Sequence, residues 1–490
     1  MGRSKNQGQF FLNLGKNEWV RLGVVLVVCL AFLLWKLDKI PGEWFGDISS
    51  VDDHTQEVLT GKWPFYYWGS TGPIYYYVIA PLILVWGNNY IGYKLASIAV
   101  GILGLIGTYL LANKIAGRHV GLLTVFVAGC SFWNMARVRV ADSQVLLPAL
   151  SSLTVYLAIK TLEFEWFLTP GIFVASLGLF VFPQSWLLPV VFLSILLWKS
   201  RSLAIKAVVL FLPALIMFLF VVNKQKDNFT NGYVGSKIFS KQSSTNQLFK
   251  MWITNLEKTA LMLHWRGDVI FRANVPLSPH LDPISGLLFI IGLVYLLKTE
   301  RKIAVWLVLI PIVLLILPST SPALSPSEIP SSSRTFGAVP FIFFLVAVGL
   351  TRIRSKLALT IVLILIGYLN GYKYFVIYPR TLPNGNTPYG KIIAKYIDGL
   401  PIDTTVKVAN CCWGEWGQPE PKAIYHQLTE KRFRESIDRE DYVLSCEQVP
   451  EGKLAIIANP GNVEKIDELL KCRPGGIVRN QGVFKSIEWQ

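Results

Sequence analysis

Residues 41–61 read PGEWFGDISSVDDHTQEVLTG, a short polar stretch in an otherwise very apolar chain. This acidic stretch follows the apolar segment Leu22 to Trp35. Four of its carboxylates, those of Asp47, Asp52, Asp53 and Glu57, follow the aromatic pair Trp44-Phe45. A carboxylate beside a bilayer is costly to remove from water, so it is a functional hypothesis by default. The same residues are typical of a solvated connector, and the stretch alone leaves both interpretations open.

The composition predicts a multi-pass membrane protein. The chain has 490 residues, of which 52% are hydrophobic and 16% are charged. A soluble domain of this size needs far more polar surface. The net charge of +16 indicates basic cytoplasmic loops, as is usual in membrane proteins. No basic run is interleaved with aromatic residues, so we expect no nucleic-acid partner.

The apolar segments predict eleven transmembrane helices. The basic N-terminus has no small-residue cleavage site after its apolar segment, which indicates an uncleaved signal anchor with a cytoplasmic N-terminus. The acidic stretch then lies outside. The predicted spans are Leu22 to Trp35, Ile91 to Ala112, Val120 to Met135, Gln144 to Ile159, Phe167 to Phe182, Trp186 to Trp198, Ala207 to Val222, Ile284 to Leu297, Ile303 to Leu317, Phe336 to Leu350 and Leu357 to Lys373.

One further apolar segment, Pro73 to Trp86, is interpreted as an interfacial helix. It is shorter than the roughly 20 residues that a crossing needs, and Pro81 lies in its middle. If it does not cross, the short basic turns all fall on the cytoplasmic side, as the positive-inside rule requires. These turns contain Arg118, Lys160, Lys199, Lys298, Arg301, Lys302, Arg352, Arg354 and Lys356.

The composition changes after residue 373, so we predict two domains. Residues 1–373 form the transmembrane domain, and residues 374–490 form a small α/β domain on the same side as the acidic stretch. The predicted strands are Thr405 to Ala409, Leu454 to Ala458 and Gly482 to Ile487. The predicted helices are Tyr389 to Ile397 and Asn462 to Lys471.

Cysteine usage suggests an exported C-terminal domain. It holds four of the six cysteines, Cys411, Cys412, Cys446 and Cys472. Adjacent cysteines rarely bond each other, so we expect Cys411 or Cys412 to be bonded to Cys446 or Cys472.

Metal chemistry is not expected. Neither the cysteine spacing nor the scattered histidines His54 and His264 indicate a metal site. We therefore predict chemistry without a metal or other cofactor.

Four groups of residues carry a resemblance to a known family, in the same order and on the same side of the membrane. They are the acidic stretch, GPIYYYVIAPLILVWG with YIGYKLASIAVG (72–101), FWNMARVRVADSQVLLP (132–148), and RGDVIFRANVPLSPHLDPISG (266–286) with EIPSSSRTFGAVPF (328–341). The chain resembles GT-C superfamily glycosyltransferases of the family-39 type, related to protein O-mannosyltransferases and lipid A aminoarabinose transferases. Together the groups cover roughly residues 22–350.

The resemblance implies an α-helical multi-pass membrane enzyme. Such enzymes move a sugar from a polyprenyl-phosphate carrier to an acceptor hydroxyl at the outer face, with inversion. The acceptor is a lipid, a glycan or a protein. Asp47 matches the family's catalytic aspartate, and Asp142 matches the acidic residue of its second outer turn. The family has glutamate where this chain has Ile48, which leaves Asp52 and Asp53 as alternatives for that role. Both are predicted to be substrate-binding residues.

The implied chemistry needs a base and a set of cations. An aspartate in an apolar cleft can accept the proton of an acceptor hydroxyl. The leaving lipid phosphate needs cations, and arginine binds phosphate through bidentate contacts. The candidates are Arg137, Arg139, Arg266, Arg272 and Arg334, each of which is also explained by interfacial snorkelling. Asp268 follows Gly267, and Asp282 precedes Pro283. Both are therefore interpreted as turn residues.

Two other functions remain open at this point. A transporter or flippase for lipid-linked sugars usually has charges in the middle of broken spans and two related halves. Here the acidic residues lie at one face and no repeat is apparent, which favours an enzyme. A non-catalytic binder of lipid-linked sugars is kept as an alternative because of Ile48.

Overall fold

A computed structural model describes residues 16–43, 46–65, 72–224, 245–322, 324, 328–409, 421–428, 442–443, 445–459 and 463–490. The helices in this part of the chain are α1 (Lys16–Leu34), α2 (Gly46–Leu59), α3 (Ile74–Trp86), α4 (Tyr90–Ala116), α5 (Arg118–Gly129), α6 (Phe132–Val138), α7 (Leu147–Glu163), α8 (Leu168–Leu177), α9 (Leu188–Lys199), α10 (Arg201–Lys224), α11 (Thr245–Leu261), α12 (Pro283–Thr299), α13 (Ile310–Ile316), α14 (Val339–Leu350), α15 (Lys356–Tyr372), α16 (Tyr389–Asp398), α17 (Pro421–Tyr425) and α18 (Val463–Cys472). The strands are β1 (Thr405–Ala409), β2 (Tyr442–Val443), β3 (Leu454–Ala458), β4 (Ile477–Asn480) and β5 (Lys485–Trp489). The predicted fold class, an α-helical membrane protein with a small C-terminal α/β unit, is confirmed.

Each predicted span coincides with an apolar helix, except Val120 to Met135, which coincides with the bent pair α5 and α6. The predicted span Ile303 to Leu317 lies in the helical run Arg301–Thr320, of which α13 is a part. In the described residues, six helices are long and apolar enough to cross a membrane, or seven if the bent pair α5 and α6 is one span. Five shorter apolar helices accompany them. One of these is α3, whose 13 residues measure only about 20 Å at 1.5 Å per residue. The figure of eleven crossings stays a prediction.

Ion pairs gather several helix ends at one end of the bundle. Arg118, at the start of α5, lies 2.8 Å from Glu18 in the first turn of α1. Lys114, in the last turn of α4, pairs with Glu163 at the end of α7. The acidic stretch and the turn after α6 lie at the opposite ends of these helices, and hence at the opposite end of the bundle.

The helices approach each other closely where glycine removes the side chain. A Cβ on Gly349 of α14 would overlap the carbonyl of Leu288, and one on Gly292 of α12 would overlap the carbonyl of Leu345. Small residues allow such backbone contact between membrane helices. The pairing of α12 with α14 therefore depends on glycine at both positions.

A break after α5 redirects the chain toward the candidate site. The axes of α5 and α6 differ by 62°. The Ser131 hydroxyl accepts the Asn134 N–H at 3.1 Å and so caps α6. Ala141 then takes a positive φ of 59°, and Asp142 caps the 3₁₀ turn Ser143–Leu146 that leads into α7. This is the predicted second outer turn.

The C-terminal sheet is mixed, with strand order β2-β1-β3-β5-β4. Strands β1 and β3 are parallel, while β5 is antiparallel to both β3 and β4. The predicted bounds of β1 and β3 are confirmed, and α16 and α18 lie within a residue of their predicted bounds. The predicted third strand begins three residues later, because Gly482 (φ 87°) lies in the turn before β5. Strand β4 was not predicted, since all four of its residues are exposed and show no alternation.

The predicted disulfide pairing is wrong. Cys446 is bonded to Cys472, with their Cα atoms 5.1 Å apart. The reason is that β3 and α18 return the chain to the turn Cys446–Gln448, against which α18 packs. Cys411 and Cys412 lie outside the described residues. In the described part, the free cysteines are the buried Cys29 and Cys130.

Candidate active site

The chain that leads into α2 is held by the start of α4. The Tyr90 hydroxyl donates to the carbonyls of Pro41 (2.7 Å) and Glu43 (2.9 Å). The Lys94 ammonium, one turn later and fully buried, donates to the carbonyls of Leu37 (2.7 Å) and Pro41 (2.8 Å). Carbonyl acceptors offset part of the cost of burying this charge. The start of α2 is therefore fixed relative to α4.

The acidic stretch itself forms the helix α2. Asp47 lies in its first turn, where the positive end of the helix dipole favours a negative charge. The side chain of Asp47 lies outside the described part of the structure. Asp53 is half-buried on the same helix. Because α2 packs against α3, and α3 also packs against the 3₁₀ turn after Asp142, α2 and the Asp142 turn share one neighbour.

Asp52 is engaged on both carboxylate oxygens. Its Oδ1 accepts the Tyr93 hydroxyl at 2.7 Å, and its Oδ2 lies 3.0 Å from Nε2 of His426. The other ring nitrogen of His426 lies 3.2 Å from the Asn88 carbonyl. Asp52 and the His426 side chain have no exposed surface. The predicted substrate-binding residue Asp52 is thus a buried link between α2, α4 and the C-terminal part of the chain.

Asp142 is held by a buried arginine. The Arg137 guanidinium forms an ion pair with Asp142 and donates to Gln144 Oε1 at 2.8 Å. The Arg137 side chain is completely buried, whereas 12% of the Asp142 side chain is exposed. Among the described residues, Nε and Nη1 of Arg137 have no hydrogen-bond partner. The arginine therefore orients the Asp142 carboxylate and keeps two of its own donors unused.

Arg139 lies in a structural position. Its guanidinium donates to the carbonyls of Phe32 (3.2 Å), Lys36 (2.9 Å) and Ile40 (3.1 Å), and it stacks over the Tyr374 ring at 4.8 Å. It is fully buried. Arg139 thus closes the C-terminal end of α1, where free carbonyls need donors.

The three later arginines lie on the loops before α12 and α14. Arg266 is exposed, and Arg272 is half-buried. Arg334 pairs with Glu328, and 11% of its side chain is exposed. Accessible guanidinium groups are available on these loops, although the Arg334 pair would have to open before it could bind an anion.

The two aspartates interpreted as turn residues do have that role. Asp268 accepts the Ile270 N–H at 2.8 Å and both the N–H (2.8 Å) and the hydroxyl (3.0 Å) of Ser332. Burial raises the pKa of the Asp268 carboxyl, against the effect of these donors. Asp282 caps α12 through the N–H groups of Ile284 and Ser285. The Asp268–Ser332 contact joins the two late loops that the resemblance paired.

An apolar cavity of about 260 Å³ lies beside α3. Its walls come from α3, α8, α10 and the residues next to them, and they include Ile74, Tyr77, Phe173, Phe180 and Met217. The walls offer mainly aromatic and aliphatic surface, which suits an apolar chain.

Two structural residues escaped the sequence analysis for different reasons. Lys94 had a signal, since a single lysine in an apolar helix marks a buried charge that needs partners. His426 had none, because it meets Asp52 across 374 positions of sequence. Only the tertiary fold brings this histidine to the acidic stretch.

The comparisons with known proteins report a likeness of fold. No family model matches the sequence, and no curated protein matches it. ArnT from Cupriavidus metallidurans, solved with undecaprenyl phosphate bound and in the apo state, aligns over 96% of this chain and 98% of its own in both states. The TM-score is 0.58 and the identity 12%. An oligosaccharyltransferase from Archaeoglobus fulgidus aligns over 95% of this chain and 72% of its own, with 9% identity and a TM-score of 0.47.

The ArnT alignment shows that this chain has a GT-C fold. At 12% identity the alignment establishes a shared fold and no further property of this chain. The oligosaccharyltransferase alignment is weaker, and nothing is based on it.

Proposed function

We propose that this chain, which has a GT-C fold, is a membrane glycosyltransferase that moves a sugar from a polyprenyl-phosphate donor to an acceptor hydroxyl, with inversion. The main support is the alignment with ArnT, which covers nearly all of both chains. The polar candidate residues of this chain also gather at one end of its helical bundle. ArnT binds undecaprenyl phosphate, a polyprenyl phosphate, and we assign the same class of lipid to this protein.

Asp47 is the proposed general base. A hydroxyl is a poor nucleophile while it is protonated, so the acceptor needs a carboxylate within hydrogen-bond distance. Residue 47 lies in the first turn of α2, a position at which a helix dipole generally favours an ionised carboxylate. That form is the one that can accept a proton.

Asp142 is the proposed second acidic residue, with a binding role. Its ion pair with Arg137 fixes the direction of the carboxylate. The exposed share of Asp142 allows it to accept hydrogen bonds from sugar or acceptor hydroxyls. Arg137 is completely buried, so we assign it to holding Asp142.

The lipid phosphate is proposed to bind the arginines of the late loops. A departing phosphate needs cationic donors, and arginine provides two in parallel. Arg266 and Arg272 retain exposed surface, so they come first. Arg334 follows, after its pair with Glu328 opens.

The apolar cavity beside α3 is proposed to receive part of the polyprenyl chain. Its aliphatic and aromatic walls match an isoprenoid in polarity. The cavity adjoins α3, which also packs against α2. A lipid seated there lies against α3, the neighbour of the helix that carries Asp47.

The candidate site is proposed to face the extracytoplasmic side. The basic residues Lys114 and Arg118 lie at the other end of the bundle, and short basic turns prefer the cytoplasm. Lipid-linked sugars and the acceptor then meet at the outer surface of the cell membrane.

The decisive experiment is turnover by purified protein with a polyprenyl-phosphate sugar and membrane extract as the acceptor source. Release of the lipid phosphate is measured for wild type, Asp47→Asn and Asp403→Asn. The first change removes proton acceptance and little volume, so we expect a loss of about 10²- to 10⁴-fold in turnover with donor binding retained. Asp403, exposed and paired with Lys453, is the matched control and should leave the rate unchanged.

The possible results separate the three functions. No turnover by wild type with donor binding retained supports a non-catalytic binder. Movement of labelled lipid across proteoliposomes without cleavage supports a transporter. Full turnover by Asp47→Asn contradicts its role as base and moves that role to Asp142, which retains exposed surface.

A further inference from the structure

The region between Asn386 and His426 contacts the acidic stretch and the chain leading into it. The side chain of Asn386 accepts the Gly42 N–H at 2.7 Å and donates to the Lys39 carbonyl at 2.8 Å. The backbone N–H of Gly390, in the first turn of α16, donates to Oε2 of the buried Glu43 at 2.6 Å. These contacts add to those of Tyr90 and Lys94 in holding the lead-in to α2.

His426, which follows α17, contacts α2 itself. Its Nε2 lies 3.0 Å from Oδ2 of Asp52, while Nδ1 lies 3.2 Å from the Asn88 carbonyl. Tyr93 donates to the other oxygen of Asp52 at 2.7 Å, and its ring centroid lies 6.1 Å from that of His426. The contact thus joins the C-terminal part, α2 and the start of α4 at one buried point.

The partners of the ring constrain its proton count. A carbonyl only accepts hydrogen bonds, so Nδ1 must carry a proton. An ionised Asp52 also only accepts, and then Nε2 must carry a second proton. The pair is therefore either imidazolium with carboxylate or neutral imidazole with carboxylic acid. In both forms the pair has no net charge, which lowers the free-energy cost of removing it from water.

His426 is not placed to touch a substrate. Its side chain has no exposed surface, and both ring nitrogens face protein acceptors. Any effect on catalysis must pass through Asp52 and hence through α2. Removing either partner leaves the other buried without its hydrogen bond, which destabilises the contact between α2 and the C-terminal part.

We propose that His426 is a positioning residue of the active site, which holds α2, and with it Asp47, in place through Asp52. This inference rests on the proposed function for its catalytic part. It makes the C-terminal domain a part of the active-site framework and gives Asp52 a supporting role behind the site.

The first test is hydrogen exchange of α2, which needs no enzyme activity. We expect the amides of residues 46–59 to exchange about tenfold faster in His426→Ala than in wild type. His426→Gln can still place an amide N–H near the position of Nε2, so its exchange should stay close to wild type. The shorter side chain of His426→Asn can replace only the Nδ1 contact and should behave like His426→Ala.

The second test is turnover of the same variants with a polyprenyl-phosphate sugar. Misplacing a catalytic group by about 1 Å can cost up to 10²-fold in rate. We expect kcat of His426→Ala to fall 10- to 100-fold with KM for the donor unchanged, and His426→Gln to recover most of it. The matched control is Tyr396→Phe, which removes a 2.6 Å hydrogen bond to Glu488 inside the C-terminal domain and leaves the contact with α2 intact. It should preserve kcat.

The outcomes decide separately on the inference and on the proposed function. Unchanged exchange of α2 in His426→Ala overturns the positioning role. Faster exchange with wild-type kcat overturns its importance for catalysis. Equal loss of kcat in Tyr396→Phe and all three His426 variants assigns the effect to general destabilisation and also overturns the proposal. If wild type itself shows no turnover, the proposed function fails, and the exchange comparison still decides whether His426 holds α2.

Discussion

Charged side chains divide into two groups by what they contact. Lys94 and Arg139 are fully buried and use their donors on backbone carbonyls. Asp268 is equally buried and accepts from the neighbouring late loop. These three build the end of the bundle that holds the candidate site, and their polar groups are used on the protein itself. Asp142 and Arg266, which retain exposed surface, belong to the group that a substrate can reach.

Because His280 is buried, we expect the free energy of unfolding to fall as the solution becomes acidic. His280 lies in the loop before α12, with Nδ1 3.2 Å from the Met262 carbonyl and its ring 4.7 Å from that of Trp133. Burial, with a contribution from the nearby Lys373 cation, lowers the pKa of His280 from 6.5 to about 3. Between these values the unfolded chain binds a proton that the native state does not. Stability is therefore lost as the pH falls below about 6.5, by roughly 2 kcal/mol at pH 5.

The measurement is the thermal unfolding midpoint in detergent at pH 7.5 and pH 5. His280→Asn keeps a donor for the Met262 carbonyl and removes the titration, so its midpoint should change less between the two pH values than that of wild type. His119, which is exposed, provides the control variant His119→Asn with wild-type pH dependence. The raised pKa of Asp268 acts in the opposite direction, because its stabilising effect is lost as the pH rises, and it is common to all three proteins. An identical pH effect in wild type and His280→Asn contradicts the prediction.

Among the elements, α2 is held in place by contacts from distant parts of the chain. Its own sequence is polar, so it gains little from the membrane, and its position comes from neighbours. Tyr90 and Lys94 hold the chain before it, while Tyr93 and His426 hold Asp52 within it. A helix fixed in this way can present a carboxylate with little loss of entropy on substrate binding.

The pairing of α12 with α14 gives a prediction for a single added methyl group. Gly349→Ala places a Cβ against the Leu288 backbone, which cannot rotate away. We expect a loss of about 1–3 kcal/mol and a lower thermal midpoint. Gly23→Ala in α1 meets nothing within 4 Å and should be neutral or stabilising by up to about 1 kcal/mol. If both variants unfold at the same temperature, the close approach of the two helices is not needed for stability.

At the scale of the whole molecule, local chemistry was predictable and distant contacts were not. The length of residues 73–86 and Pro81 indicated a helix too short to cross, and Asp282 before Pro283 indicated a cap. Strand β4 gave no pattern because both its faces are exposed. The disulfide partner of Cys446 and the contact of His426 with Asp52 depend on how the C-terminal domain folds and docks. Sequence spacing contains no information on either.

Orientation in the membrane is the last prediction, and it follows from the charges at the two ends of the bundle. Basic turns on one end and the C-terminal domain on the other predict that Ile402 lies outside the cell and Arg301 inside. Both positions are exposed. In a background with Cys411 and Cys412 replaced by serine, we expect an impermeant maleimide to label Ile402→Cys in intact cells. Arg301→Cys should react only after permeabilisation, since the buried Cys29 and Cys130 and the bonded Cys446 and Cys472 give little background. The reverse pattern would place the candidate site in the cytoplasm, where an outer-leaflet lipid-linked donor cannot reach Asp47.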